Sequence, residues 1–175
     1  MTEPELEFRE CRPADGTLLR RVAFDCYAPY YADLWEEGGM TAYLTALYEP
    51  VRLASELADP NLRFELVYRD GAPVGFSKLH LRCDRAETPN AAYLERVYVA
   101  VSVAGLGVGR RLLERTLAIA RDSRRDWVWL QTMADAKKPL ARYLDAGFTE
   151  CGRARLDAPK VRAERRGMIV LRKAL

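Results

Sequence analysis

Hydrophobic residues recur along this chain with two periods, one typical of strands and one typical of helices. Alternating or short β-rich runs predict seven strands, within residues 6–15, 64–69, 72–83, 91–102, 127–133, 148–156 and 168–175. Helical spacing predicts four helices, at residues 17–31, 40–58, 112–120 and 138–146. Strand hairpins dominate the first half, and one strand-helix-strand unit lies in the middle, so the pattern predicts an α/β (α+β) fold. We expect a mixed, mostly antiparallel sheet of about seven strands flanked by about four helices.

Turn residues divide these elements. Asp70-Gly71 separates two β-rich runs and is a strong signal for a tight hairpin. Asp59-Pro60-Asn61 disfavours further helix and is expected to end the helix that begins at Met40. Gly147 is placed as the C-terminal stop of the last helix. Neither a repeat nor a linker interrupts the order, so residues 6–175 are expected to form one domain.

Composition limits the class of protein. The chain has 175 residues, of which 49% are hydrophobic and 30% charged, which suits one globular domain with its own core. No apolar run approaches the roughly 18 residues of a membrane span. The N-terminal segment MTEPELEFRE is acidic and polar, where a secretory signal would be basic and then apolar. We therefore expect a cytoplasmic protein without a membrane partner.

The cysteines and the charges narrow the choice further. The four cysteines are widely spaced and only one histidine, His80, could join them, so neither a zinc site nor a disulfide framework is expected. A net charge of +3 is too small for the basic stripe of a nucleic-acid binder. The densest positive run is KVRAERR, residues 160–166. It is either a solvated loop or a contact to an anionic ligand or acidic partner.

The stretch VAGLGVGRR, residues 103–111, places glycines at 105, 107 and 109 between a predicted strand and a predicted helix. Glycines let a ligand approach the backbone N–H groups, and the N-terminus of a helix attracts anions. A phosphate or pyrophosphate site is one interpretation, and a tight turn without a ligand is the other. The residues after Gly109 are Arg-Arg-Leu, which excludes a P-loop, and the glycine spacing does not fit a dinucleotide fingerprint.

The run LERVYVAVSVAGLGVGRRLL extends the glycine stretch on both sides into a predicted strand and a predicted helix. It resembles motif A of the GNAT family of acyl-CoA N-acyltransferases, a strand followed by Gln/Arg-x-x-Gly-x-Gly/Ala and a helix. ARYLDAGF, residues 141–148, resembles a second signature in which a tyrosine stands four residues before Gly-Phe. The resemblance covers residues 6–175 and implies one GNAT-like domain that uses acetyl-CoA (coenzyme A) as its cofactor.

The resemblance also implies where the cofactor binds. Backbone groups of the glycine stretch would hold the pyrophosphate, and those of Val97 and Val99 would hold the pantetheine arm, with Val99 donating to the acyl carbonyl. The predicted cofactor-binding residues are Val97, Val99, Ala104, Gly105, Leu106, Gly107, Val108, Gly109 and Arg110. Ala104 stands where the family has Gln or Arg, and Ala136 where it often has Asn. The first departure removes one side-chain phosphate contact, for which Arg110 or Arg111 can substitute.

Acyl transfer to an amine needs a neutral nucleophile, a donor to the oxyanion and an acid for the thiolate. Tyr143 is the predicted acid, because a phenol with a reference pKa of about 10 is protonated at neutral pH. Glu95, on the strand of motif A, is the predicted base. Glu65 and His80 on the preceding hairpin are the alternatives. Each of these residues also has a purely structural interpretation, as a core tyrosine or a surface ion pair.

The first two helices and the loop between them are expected to form the acceptor site. This part of the chain carries a group of aromatic residues: Tyr27, Tyr30, Tyr31, Trp35, Tyr43 and Tyr48. These residues belong either to the core or to a pocket that is apolar or receives a cation over aromatic faces. Glu36 and Glu37 lie nearby and could attract an amine.

The sequence therefore predicts an enzyme that moves an acetyl group from acetyl-CoA to a primary amine of a small molecule or peptide by direct attack. A GNAT-like module that binds coenzyme A without turnover is the alternative. A nucleotide-binding domain of different chemistry would leave the second motif to chance. Exposed strand edges in the C-terminal half are compatible with a homodimer.

Overall fold

The computed structural model describes residues 5–175; residues 1–4, the start of the acidic N-terminal segment, lie outside them. Seven strands form one sheet: β1 (Leu6–Glu10), β2 (Leu62–Arg69), β3 (Ala72–His80), β4 (Ala91–Val99), β5 (Trp127–Met133), β6 (Thr149–Arg155) and β7 (Gly167–Ala174). The described residues also form five α-helices: α1 (Gly16–Tyr31), α2 (Gly39–Leu47), α3 (Pro50–Ala58), α4 (Val108–Asp122) and α5 (Lys137–Asp145). The strand order is β1-β2-β3-β4-β5-β7-β6, and only β4 and β5 pair in parallel. The predicted fold class is confirmed.

The single helix predicted over residues 40–58 is wrong, because the chain forms α2 and α3 there. Pro50 has no N–H to donate to the preceding turn and disfavours helical geometry at the residue before it. Glu49 accordingly adopts extended backbone angles, φ −60° and ψ 132°. Its carboxylate then accepts a 2.8 Å hydrogen bond from the Arg52 N–H, so Glu49, which follows the C-cap of α2, is the N-cap of α3.

The hairpin between β2 and β3 forms at the predicted turn. Asp70 and Gly71 both have positive φ, 52° and 76°. Two successive left-handed residues define the type I′ turn, whose twist matches that of the flanking strands. The Asp-Gly pair therefore specified this connection locally.

The helices cover the sheet from two sides. Residues of α1, α2 and α3 pack with β2 and β3 around Leu19, Leu53 and Phe76. Residues of α4 and α5 pack on the other side with Leu94 and Leu130. Among residues 5–175 no helix is long and apolar enough to cross a bilayer.

A gap opens between β4 and β5 on one half of the sheet. The parallel pairing joins residues 91–94 to residues 127–130 and ends at Leu94. On its other side β4 stays paired with β3 as far as Val99. The register of that pair shifts by one residue, since Lys78 faces Arg96 and Leu79 faces Leu94, so Glu95 is the extra residue of a β-bulge. Residues 95–99 consequently have no strand on the β5 side.

Candidate functional site

A cavity of about 1030 Å³ passes through this gap. At one end it is lined by Gly105, Gly107, Gly109 and Arg110 on the α4 side of the sheet. At the other end it is lined by tyrosines of α1, α2 and β4: Tyr27, Tyr30, Tyr31, Tyr43, Tyr93 and Tyr98. We call these the cradle end and the tyrosine end. The cavity therefore joins the two regions that the sequence predicted separately.

The cradle end presents backbone donors around open space. Gly105 and Gly107 have φ of 82° and 80°, and Gly107 is the N-cap of α4. The first bond of this helix runs from the Arg111 N–H to the Gly107 carbonyl at 3.0 Å. Within residues 5–175, the N–H groups of Gly105, Gly107, Val108, Gly109 and Arg110 have no acceptor. A Cβ added at Gly105 or Gly107 would meet nothing within 4 Å, so an anion has room to approach.

The side chains of this stretch contribute little to the cavity. Ala104 and Leu106 are exposed, and Val108 is buried in the core beside Leu112. Arg110 is 78% exposed and lies 3.7 Å from Glu114, so it remains at the surface with a loosely held charge. The predicted site at residues 104–110 is thus a site of backbone groups, with Arg110 at its rim.

The backbone of β4 faces the gap at Val97 and Val99. The Ala100 N–H donates to the Val74 carbonyl on the β3 side at 2.8 Å. Backbone groups alternate between the two sides of a strand. The N–H and C=O groups of Val97 and Val99 consequently point toward the cavity, which both residues line. This orientation is the one that contacts to an extended ligand require.

Tyr143 lines the same cavity from α5. Gly147, with φ of 85°, ends the helix, and the Phe148 N–H donates to the Tyr143 carbonyl at 3.0 Å. The two rings pack edge to face with centroids 5.7 Å apart. Burial is the main cause that raises the pKa of the Tyr143 phenol, with a smaller effect from Tyr31. The phenol therefore stays protonated and can donate a hydrogen bond at neutral pH.

Glu95 lies at the cavity wall, and its carboxylate is held by nitrogen atoms of three side chains. Its Oε2 is 2.6 Å from His80 Nε2 and 2.9 Å from Lys78 Nζ, and its Oε1 is 2.8 Å from Arg96 Nη1. Burial would raise the pKa of this carboxyl, but the hydrogen bond from His80 and the charges of Arg96 and Lys78 lower it well below its usual range. Glu65, one alternative, lies elsewhere and pairs with Arg115. The Glu95 carboxylate, with three side-chain partners, is a weak base.

The aromatic residues predicted for the acceptor site divide into two groups. Trp35 and Tyr48 are buried in the core, and Trp35 donates a 3.2 Å hydrogen bond to the Tyr27 hydroxyl. The other four line the cavity. Tyr98 also lines the cavity but was not predicted from the sequence; its ring packs against Tyr27 at 5.6 Å and Tyr31 at 5.9 Å. Strand alternation was the available signal, because it places Tyr98 on the face opposite Val97 and Val99.

The positive run at residues 160–166 packs against the connection between α1 and α2. Lys160 Nζ donates to the Glu37 carbonyl at 3.1 Å, and Val161 forms a β-bridge with Trp35. Arg165 forms ion pairs with Asp33, at 3.1 Å, and with Asp135. None of residues 160–166 lines the cavity, and neither Glu36 nor Glu37 lines it.

The sheet order, the gap between two parallel strands and the glycine cradle define an open α/β fold with a cavity at the gap. The chain matches the model of the Acetyltransferase (GNAT) family over residues 22–148 and belongs to this family. The predicted family is confirmed.

Several solved structures have a fold similar to that of this chain. PaiA N-acetyltransferase from Thermoplasma acidophilum, in complex with coenzyme A, superposes with a TM-score of 0.78 at 18% identity, over 98% of this chain and 99% of that one. A GNAT acetyltransferase from Streptococcus pneumoniae gives a TM-score of 0.72 at 20% identity over 98% and 100%. Ribosomal-protein-alanine N-acetyltransferase from Brucella melitensis gives 0.67 at 21% over 97% and 99%.

Membership of this family makes the chain an acetyltransferase and confirms acetyl-CoA as the cofactor. The cavity fits that cofactor. Unpaired N–H groups at the cradle end suit a pyrophosphate, and the outward-facing backbone of β4 suits an extended amide-containing arm.

Proposed function

We propose that this chain is an acetyl-CoA-dependent N-acetyltransferase that acetylates the primary amine of a small molecule or peptide by direct attack. The observation that carries the proposal is the continuous cavity through the gap between β4 and β5. It joins a site suited to a pyrophosphate with a separate tyrosine-lined space suited to an acceptor.

In this proposal the N–H groups of Gly105, Gly107, Val108, Gly109 and Arg110 hold the pyrophosphate. The backbone of Val97 and Val99 holds the pantetheine arm. Bound there, acetyl-CoA supplies an acetyl group activated as a thioester. The complex of the Thermoplasma acidophilum enzyme with coenzyme A supports this placement through the shared fold.

The residues of the chain then divide the chemistry. The amine nitrogen bonds to the acyl carbon and loses a proton, while the carbon–sulfur bond breaks and the sulfur gains one. The Val99 N–H donates to the acyl oxygen, and the protonated phenol of Tyr143 donates to the departing sulfur. Arg96, a buried cation at the tyrosine end, lowers the pKa of a nearby ammonium and so favours the neutral nucleophile.

The role of Glu95 is different from the one predicted from the sequence. Its carboxylate pairs with Lys78, His80 and Arg96. Burial raises the pKa of this carboxyl, but these partners lower it by more. We assign it the positioning of Arg96 and His80 rather than the removal of a proton. The proton lost by the amine leaves to solvent at the open tyrosine end.

The alternative, a module that binds coenzyme A without turnover, would need only the cradle end. The tyrosine end and the position of Tyr143 on the cavity wall favour the enzyme. Two measurements separate these functions. Acetyl-CoA at 100 times its dissociation constant should stabilise the fold by about 2.7 kcal/mol and raise the melting temperature by about 5–10 °C. Thiol release with a panel of amines then tests turnover; a thermal shift without turnover of any amine would support the alternative.

A further inference from the structure

Arg96 is the one buried arginine that lines the cavity among residues 5–175. It is 8% exposed and lies on the α1 side of the sheet, with its guanidinium over the Tyr48 ring at 5.6 Å. Burial opposes its charge, but Tyr48 and Glu95 hold the pKa of Arg96 above its usual range. A permanent positive charge therefore stands in the wall of the tyrosine end.

This charge is only partly balanced by the protein. Within the described chain, Glu95 is the only carboxylate at ion-pair distance from Arg96. The other oxygen of Glu95, Oε2, is taken by Lys78 and His80. A guanidinium carries five N–H donors in a planar fork, so the single contact from Nη1 to Oε1 leaves room for a ligand to pair with Arg96 from the cavity. Hydrogen bonds between a guanidinium and a carboxylate are strong because both groups are charged, so a ligand that supplies carboxylate oxygens is favoured.

Other charged groups at this end do not offset Arg96. Asp157 lines the cavity but its carboxylate is fully exposed to solvent. Arg155, an exposed residue at the end of β6, also lines the cavity and carries a further positive charge. A polycation would therefore be repelled by Arg96, whereas an anionic group would be attracted to its partly balanced positive charge.

The remaining walls are apolar or aromatic. Leu34, Met133, Leu156 and Met168 line this end together with the tyrosines. These surfaces suit an apolar or aromatic group, and the tyrosine rings Tyr27 and Tyr98 meet edge to face beside them.

From these contacts we infer that the acceptor is a free α-amino acid with an apolar side chain, whose carboxylate pairs with Arg96. The inference rests on the proposed function, because it fills the acceptor end of the same cavity. The carboxylate takes the free fork of Arg96, the side chain packs among the tyrosines, and the α-amine faces the gap where Val97 and Val99 present their backbone. A peptide N-terminus, which has no adjacent carboxylate, lacks the first contact.

The test compares L-phenylalanine with L-phenylalaninamide, and with spermidine as a polycation. Binding is measured by calorimetry on the protein with coenzyme A present, and acetylation by thiol release. Arg96→Gln removes the fork, and Arg96→Lys keeps the charge without it. Arg52→Gln is the matched control, since Arg52 pairs with Glu56 in the same ion-pair network but does not line the cavity. Melting temperatures establish that each variant is folded.

The parent should bind and acetylate phenylalanine at least tenfold better than the amide. That ratio should fall at least tenfold in Arg96→Gln, fall partly in Arg96→Lys and stay unchanged in Arg52→Gln. The different amine basicity of acid and amide cancels when ratios are compared between parent and variant. If Arg96→Gln does not fold, the ratios in the parent and in Arg96→Lys decide. Equal use of acid and amide, binding of neither, or preference for spermidine overturns the inference; turnover of amines without a carboxylate preference leaves the proposed function standing.

Discussion

Gly109 allows cofactor binding to be separated from folding stability by a single methyl group. It is the second residue of α4, and a Cβ added there would lie 3.8 Å and 3.9 Å from the Val99 methyl groups. That is ordinary van der Waals contact, so the fold has room for it. The same methyl group would fill the space between Gly109 and Val99, which the pantetheine arm occupies in the proposed complex.

The substitution Gly109→Ala should change folding stability and cofactor affinity in opposite directions. Alanine is a better helix former than glycine by about 0.5–1 kcal/mol, so Gly109→Ala should leave the free energy of unfolding unchanged or raise it. Its affinity for coenzyme A should fall at least tenfold, about 1.4 kcal/mol. Gly107→Ala differs, because φ of 80° is strained for an L residue by about 1–2 kcal/mol. That variant should lose roughly 2–8 °C of melting temperature as well as affinity.

Calorimetric titration with coenzyme A and thermal unfolding measure the two quantities. Arg110→Ala is the control, since its exposed side chain should contribute less than about fivefold to binding. A Gly109→Ala variant that binds coenzyme A as tightly as the parent would refute the placement of the arm beside Val99. A larger loss in Arg110→Ala than in Gly109→Ala would refute a cradle built mainly of backbone groups.

Two further predictions concern the ionisable groups. Tyr143→Phe should lower kcat by about 10- to 100-fold, the value of a hydrogen bond to a developing charge, without changing the affinity for coenzyme A; an unchanged kcat in steady-state assays would remove Tyr143 from the reaction. The pKa of Glu95 is lowered in the folded protein, despite the opposing effect of burial. Its contribution to stability is therefore fully present above the pKa of the unfolded chain, about 4.3, and is lost as the pH falls through the pKa of the folded protein. The stability difference between parent and Glu95→Gln, measured by urea unfolding, should therefore shrink from pH 6 to pH 3; a constant difference would show that the charge of Glu95 is not what stabilises the fold.

Local chemistry explains why most of the fold was predictable. The Asp70-Gly71 turn, the strand at residues 127–133 and the stop at Gly147 each depend on backbone preferences of adjacent residues. The helix over residues 40–58 was wrong because hydrophobic spacing continues through Glu49-Pro50, while the proline ends the hydrogen bonding there. The glycine cradle was predictable for the same local reason, since positive φ at Gly105 and Gly107 favours glycine.

The tyrosine end was predictable only in part, because it depends on contacts between distant segments. Tyr27 and Tyr43 lie on predicted helices, but nothing local distinguishes them from Trp35 and Tyr48, which are core residues. The partners of Glu95 come from two strands, and their pairing with its carboxylate supports the positioning role that we propose for it. An isolated glutamate in a strand pattern gives no sign of such pairing.

The β-bulge at Glu95 connects the two halves of the site. In a regular strand, residues two apart share a face, yet Leu94 packs with α4 whereas Arg96 lies over Tyr48 on the α1 side. The extra residue produces this change, because it turns both Glu95 and Arg96 toward the α1 side and returns Val97 and Val99 to the α4 side. Pairing with β5 ends at Leu94, immediately before the same residue. One inserted position thus leaves the backbone of Val97 and Val99 facing the gap and places Arg96 at the tyrosine end, so both ends of the cavity depend on the register of a single strand.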